Sequence, residues 1–173
     1  MWSCGAETAL LVGRFADCGA VRRQREAQMR NVGNYRMIPG RDMLLAACRG
    51  LPHDDHPMLE AAGELAQLHE IRERTPVSEM AKLDRRRAQL VRSIDLWVAL
   101  AMPVPCSEAQ LHSETVGQLV DRLARMTTQA FVPLSAAPEA VFYDAWVQLN
   151  ELADSYQDLV DGLRDGTRRL PGG

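Results

Sequence analysis

Apolar residues in four stretches of this chain recur in alternating steps of three and four, a period that one side of a helix can bury and a strand cannot. From Met80 the series runs Leu83, Arg87, Leu90, Ile94, Trp97 and Ala101, with one polar member. From His112 it runs Val116, Leu119, Leu123, Met126 and Ala130. From Phe142 it runs Ala145, Leu149, Leu152, Tyr156, Leu159 and Leu163. The stretch from Met58 to Arg74 is less regular, with Met58, Leu59, Ala61, Ala62, Leu65, Leu68 and Ile71 as its apolar residues. Each stretch hides one stripe and none can do so alone, so the helices must shield one another.

Breaks in the chain fall where this reading needs them. Asp54 and Asp55 precede Pro57 and suit the free N–H groups and positive dipole end of a first turn. Thr75-Pro76 ends one helix and opens the next. Ser107 with Gln110 three residues later reads as a capping box after Pro103-Val104-Pro105. Pro133 and Pro138 bracket another break, and Gly166 is placed to end the last helix. Strand signals are nearly absent. The expected fold is all-α: an antiparallel bundle of four long helices, preceded by a short helix from Asp42 to Arg49 that stops at Gly50.

Residues 1–36 follow neither period, carry six arginines against three acids, and contain Gly5, Gly13, Gly19 and Gly33. They read as an irregular, poorly ordered arm. Residues 37–170 then make a single helical domain, and 171–173 a tail. With 173 residues, 46% of them hydrophobic, the chain is long enough for one self-sufficient core. A net charge of −3 and only 5% aromatic residues argue against nucleic acid as a partner. No apolar run approaches the ~18 residues of a membrane span. Cys4, Cys18, Cys48 and Cys106 lack any zinc-site spacing. Reduced thiols in a cytoplasm and no cofactor are the expectations.

His112 stands on its own helix's apolar stripe, where a polar ring must find a partner. Glu108 lies one turn back, and His69 falls at the edge of its stripe beside Leu65 and Leu68. If their helices are neighbours, His69, His112 and Glu108, with Glu73, converge inside the bundle as a metal or acid–base centre, or else as histidines tied to backbone carbonyls and carboxylates. His53-Asp54-Asp55-His56 offers two imidazoles in one loop, explained more simply by helix capping. Glu70-x-x-Glu73 and Glu151-x-x-Asp154 resemble the magnesium-holding pairs of all-α nucleotide pyrophosphohydrolases, but some eighty residues separate them. Residues 72–92 carry seven positive against three negative charges, and Asp154, Asp158, Asp161 and Asp165 answer them as a stripe that could steer pairing. Arg87, in an apolar register, is expected either to snorkel or to be buried against a carboxylate such as Glu114 or Asp121.

Leu68-His69-Glu70 is followed by Leu111-His112-Ser113-Glu114-Thr115-Val116-Gly117-Gln118-Leu119-Val120-Asp121-Arg122-Leu123, with Asp95-Leu96-Trp97-Val98 between and Met43 to Gly50 before. Over about residues 41–170 this resembles the actinobacterial branch of a bacterial family, domain of unknown function 4254. A Leu-His on one helix and a His-x-Glu on a later one recur there, which maps onto His69, His112 and Glu114. The chain departs from the family pattern at Leu111 and Thr115.

Two functions follow as expectations. One is an association or accessory module, acting as a homo-oligomer or beside a partner enzyme through exposed apolar residues and charged stripes. The other is a small helical enzyme or ligand- or metal-binding bundle with His69, His112 and Glu114 lining a pocket. Helical geometry puts Glu114 about 200° round from His112, which weighs against a shared cavity.

Overall fold

The computed structural model describes residues 37–131 and 139–171, and the arm assigned to residues 1–36 lies outside them. Ile38–Gly173 forms one compact unit. Among the described residues the chain is mostly helical, with α1 at Arg41–Cys48, α2 at Pro57–Arg74, a 3-10 turn at Val77–Glu79, α3 at Met80–Ala101, α4 at Val116–Phe131 and α5 at Glu139–Arg164. Two two-residue strands, β1 at Gln110–Leu111 and β2 at Arg168–Arg169, pair in parallel.

The apolar series account for the core. Leu90, Ile94 and Val98 of α3, Val116, Leu119 and Leu123 of α4, and Leu149, Leu152, Tyr156, Leu159 and Leu163 of α5 are buried together with Met58, Leu59, Ala62 and Leu65 of α2. α4 touches every other helix, whereas α3 and α5 do not pack on each other. The basic stretch of α3 and the acidic stripe of α5 thus stand on helices separated by α4, and no ion pair joins them among the described residues.

Chain breaks fall largely where expected, but two caps differ. Gly50 and Gly166 take positive φ, 70° and 71°, beyond the ends of α1 and α5. Thr75 is extended before Pro76 and its hydroxyl donates to the Ile71 carbonyl, closing α2. Asp54 and Asp55, expected to cap α2, are exposed. His56 is the cap instead: its Nδ1 accepts the Met58 N–H at 3.1 Å, and its ring is buried edge-on against Trp97. An imidazole that both accepts the N–H and covers an indole satisfies two demands that a carboxylate cannot.

The Ser107/Gln110 box does not open a helix. Residues 106–112 instead make a turn at Ser107 and Glu108 and then β1, because Cys106, Gln110 and His112 donate backbone N–H groups to Gly166, Thr167 and Arg169. This pairing spans more than fifty residues of sequence and overrides the local cap. The working box is Thr115 with Gln118: Gln118 N–H donates to Thr115 Oγ1 at 3.2 Å, and Thr115 N–H to Gln118 Oε1 at 2.9 Å. The next N–H group, on Gly117, is taken by Asp95 of α3 at 2.7 Å. A Cβ on Gly117 would lie 2.4 Å from the Val91 carbonyl oxygen, so glycine is what lets α3 and α4 come this close.

The segment before α1 is fastened to α5. Tyr156 donates to the Pro39 carbonyl at 2.8 Å, Arg164 to the Ile38 carbonyl at 2.6 Å, and the Arg41 N–H to Gln157 at 3.0 Å. Arg41 also pairs with Asp154.

Candidate functional site

Three elements bring ionisable side chains to one place. His69 lies on the buried face of α2 and is only 5% exposed. Its Nε2 stands 2.9 Å from Asp121 Oδ1 on α4. Arg87, reaching from α3, sets its Nε 3.5 Å from the same oxygen. Its Nη1 is 3.8 Å from Asp84, which in turn stands 3.3 Å from Arg72 Nε, an ion pair without hydrogen-bond alignment. Arg72, Asp84, Arg87, Asp121 and His69 therefore form a continuous chain of charge across α2, α3 and α4. The carboxylate expected beside Arg87 is present, and the arginine remains about one-third exposed, at 37% for its side chain.

The solvent side of this chain is a groove of about 420 Å³ between α3 and α4. Ala88 and Val91 line it with Arg87, Arg92, Gln118, Asp121, Arg122 and Glu114. Arg122 donates to Glu114 at 2.6 Å, fixing that pair across the first turn of α4. The groove thus contains Glu114 and the carboxylate that His69 holds, but neither histidine ring is in its lining.

His112 stands apart from His69 in its bonding. The ring belongs to the extended segment before α4, not to the helix, so the 200° argument from helical periodicity does not apply to it. It is half-buried, and Nδ1 faces the backbone of Glu114: the carbonyl oxygen at 2.8 Å and the N–H at 3.2 Å, one or the other engaged according to tautomer. Its effect is to hold the turn that presents the Glu114 side chain. Among the described residues no hydrogen bond or ion pair joins His69, His112 and Glu108, and no three His, Cys, Asp or Glu side chains are grouped to hold a metal ion. Glu108 is exposed. Glu70 pairs with Arg74, and Asp154 with Arg41 on a different element, so the two acidic pairs do not converge.

Electrostatics elsewhere are structural. Arg86 forks onto Glu64, and this hydrogen bond holds the Glu64 carboxyl below the usual carboxylate range. Burial pushes the Cys48 thiol from 9.0 up to about 12, which keeps it protonated and unreactive at neutral pH. Sequence reasoning missed Asp121 as the partner of His69. It placed Arg92 only in a basic cluster, and it missed the groove residues Gln118 and Arg122 and the cross-helix cap Asp95. The signal for the last was a glycine one residue inside an otherwise strong helix, a position where glycine is costly unless something approaches closely.

Residues 70–137 match the family model described as Protein of unknown function (DUF4254). Over that stretch the chain is similar to the family. The matched segment holds α3, the 106–112 stretch and α4, hence every residue of the groove, and it begins one residue after His69. No curated protein and no solved structure matches the chain. Among the described residues no helix is long and apolar enough to cross a membrane.

Proposed function

We propose that the protein is a cytoplasmic association module, a helical bundle of antiparallel long helices that works as a homodimer. The observation that carries this reading is the outer face of the last turns of α3. Leu96, Leu100 and, just beyond the helix, Val104 are 64%, 81% and 92% exposed. Beside them is a groove of about 260 Å³ lined by Val98, Met102, Pro103, Leu163 and Leu170. Large apolar groups concentrated this way mark an interaction surface.

Charge supports a second copy as the occupant. Lys82 and Arg85, on the first turns of α3, are exposed and have no ion pair among the described residues. The same holds for Asp158 on α5 and Asp165 just beyond its end. Positive and negative stripes that cannot meet within one chain can meet twice across a two-fold axis. Replacing Leu96 and Leu100 together by glutamate should convert the dimer to a monomer in sedimentation velocity, with the helical circular dichroism unchanged. A wild-type chain that sediments as a monomer at tens of micromolar contradicts the reading.

A second reading, a ligand-binding helical protein that uses His69, His112 and Glu114, draws support from one observation. Glu114, held by His112 through its backbone, and Asp121, held by His69, line the same groove. In this reading the histidines position carboxylates and do not themselves touch a ligand.

A further inference from the structure

The groove between α3 and α4 carries more positive charge than its own carboxylates balance. Arg87, Arg92 and Arg122 face Glu114 and Asp121. Arg87 is oriented by Asp121 and, from outside the lining, by Asp84, and Arg122 by Glu114. Arg92 has no carboxylate partner among the described residues. A guanidinium already held on one edge still presents further N–H donors on the other, and three of them around one hollow suit the oxygens of a tetrahedral dianion. The two carboxylates accept hydrogen bonds only, so they suit hydroxyl groups next to that dianion. The volume, about 420 Å³, falls in the range of small-molecule sites.

From this we infer that the groove binds a small organic phosphate, a phosphate monoester of a polyhydroxylated carbon skeleton. The phosphoryl oxygens lie against Arg87, Arg92 and Arg122, and the hydroxyl groups donate to Glu114 and Asp121. Ala88 and Val91 cover the carbon skeleton. This rests on the second reading above and names its ligand class. It does not depend on dimerisation, since Lys82 and Arg85, not the groove, supply the basic part of the proposed interface.

The test is titration of the full-length, nitrogen-15-labelled chain with glycerol 3-phosphate, inorganic phosphate and glycerol, following the backbone amides of Gly117, Gln118 and Arg122. The expected result is saturable shifts with glycerol 3-phosphate, at a dissociation constant of about 0.1–1 mM. Inorganic phosphate should bind severalfold more weakly, and glycerol should give no shift. Arg92→Gln should weaken glycerol 3-phosphate binding about tenfold while leaving the fold intact, because that side chain is exposed and unpaired within the described residues. Arg122→Gln, with Arg122 half-exposed and paired only to Glu114 among the described residues, serves as the second variant. Inorganic phosphate binding as tightly as the ester overturns the assignment to an organic phosphate. Binding unchanged in both variants overturns the groove as its location. Shifts with glycerol but not with phosphate reject the phosphate and keep a ligand groove, whereas no shift with any probe rejects both.

Discussion

His69 Nε2 meets Asp121 Oδ1 at 2.9 Å across 52 residues of sequence, joining α2 to α4 behind the groove. Truncating the ring leaves a void and a partly buried carboxylate with one partner fewer. His69→Ala should cost about 2–4 kcal/mol in urea denaturation. A cycle with Asp121→Asn should show coupling on the order of 1–3 kcal/mol. Additive single effects would mean that the contact carries no energy of its own.

Gly117 is a point of close approach between α3 and α4. Its substitution by alanine must move the Val91 carbonyl and disturb the Asp95 hydrogen bond. Backbone cannot yield as a side-chain tip does, so Gly117→Ala should destabilise by about 2–3 kcal/mol. Gly63→Ala, whose new methyl would lie 3.3 Å from the Ala47 carbonyl, should cost clearly less. Asp95→Ala, which removes only the cap, should cost about 1 kcal/mol. Denaturation midpoints in that order check the packing of the two helices.

Alkali should loosen the core in a definite window. Burial raises the Cys48 thiol to about 12 and raises the Tyr156 phenol as well, so the folded state keeps protons that the unfolded chain releases at ordinary values. Their contribution is complete below about pH 9 and is lost as pH rises from there towards 12. Urea midpoints should therefore be level up to pH 8.5 or thereabouts and fall above it, less steeply in Cys48→Ala. Peptide mapping after iodoacetamide at neutral pH should show Cys106, which is exposed, labelled and Cys48 spared.

Tyr156 ties α5 to the first described residues through one hydrogen bond, to the Pro39 carbonyl. Tyr156→Phe keeps the ring in the core and leaves that carbonyl without its donor. A loss of about 1–2 kcal/mol is expected. Proteolysis near residues 37–41 should become faster in this variant, whereas an unchanged cleavage rate would show that Arg164 and Gln157 hold the segment without it.

The long helices were legible because their burial is local in sequence. The series through Ile94, Leu123 and Leu159 sets the buried face of each helix without reference to its neighbours. Gly50 and Gly166 likewise announce their turns, since only a residue tolerant of positive φ fits there. What could not be read was decided by distant partners. His112 shares the register of Val116 and Leu119, yet its backbone N–H goes to Arg169, and no nearby residue signals that the C-terminal strand takes it out of the helix. His56 caps α2 because Trp97, forty residues on, covers its ring. At the candidate site the residue types were legible and the pairing was not. That Arg87, in an apolar stripe, would either snorkel or meet a carboxylate such as Glu114 or Asp121 could be read, but the choice of Asp121, and His69 on that same carboxylate, depend on how the helices pack.

Self-association is tested most directly by sedimentation velocity of the wild-type chain at about 10–50 µM, at low salt and again in molar sodium chloride. A particle with twice the 19.3 kDa chain mass at low salt, shifting towards single chains when charge is screened, is the predicted result. A 19.3 kDa particle under both conditions would contradict it.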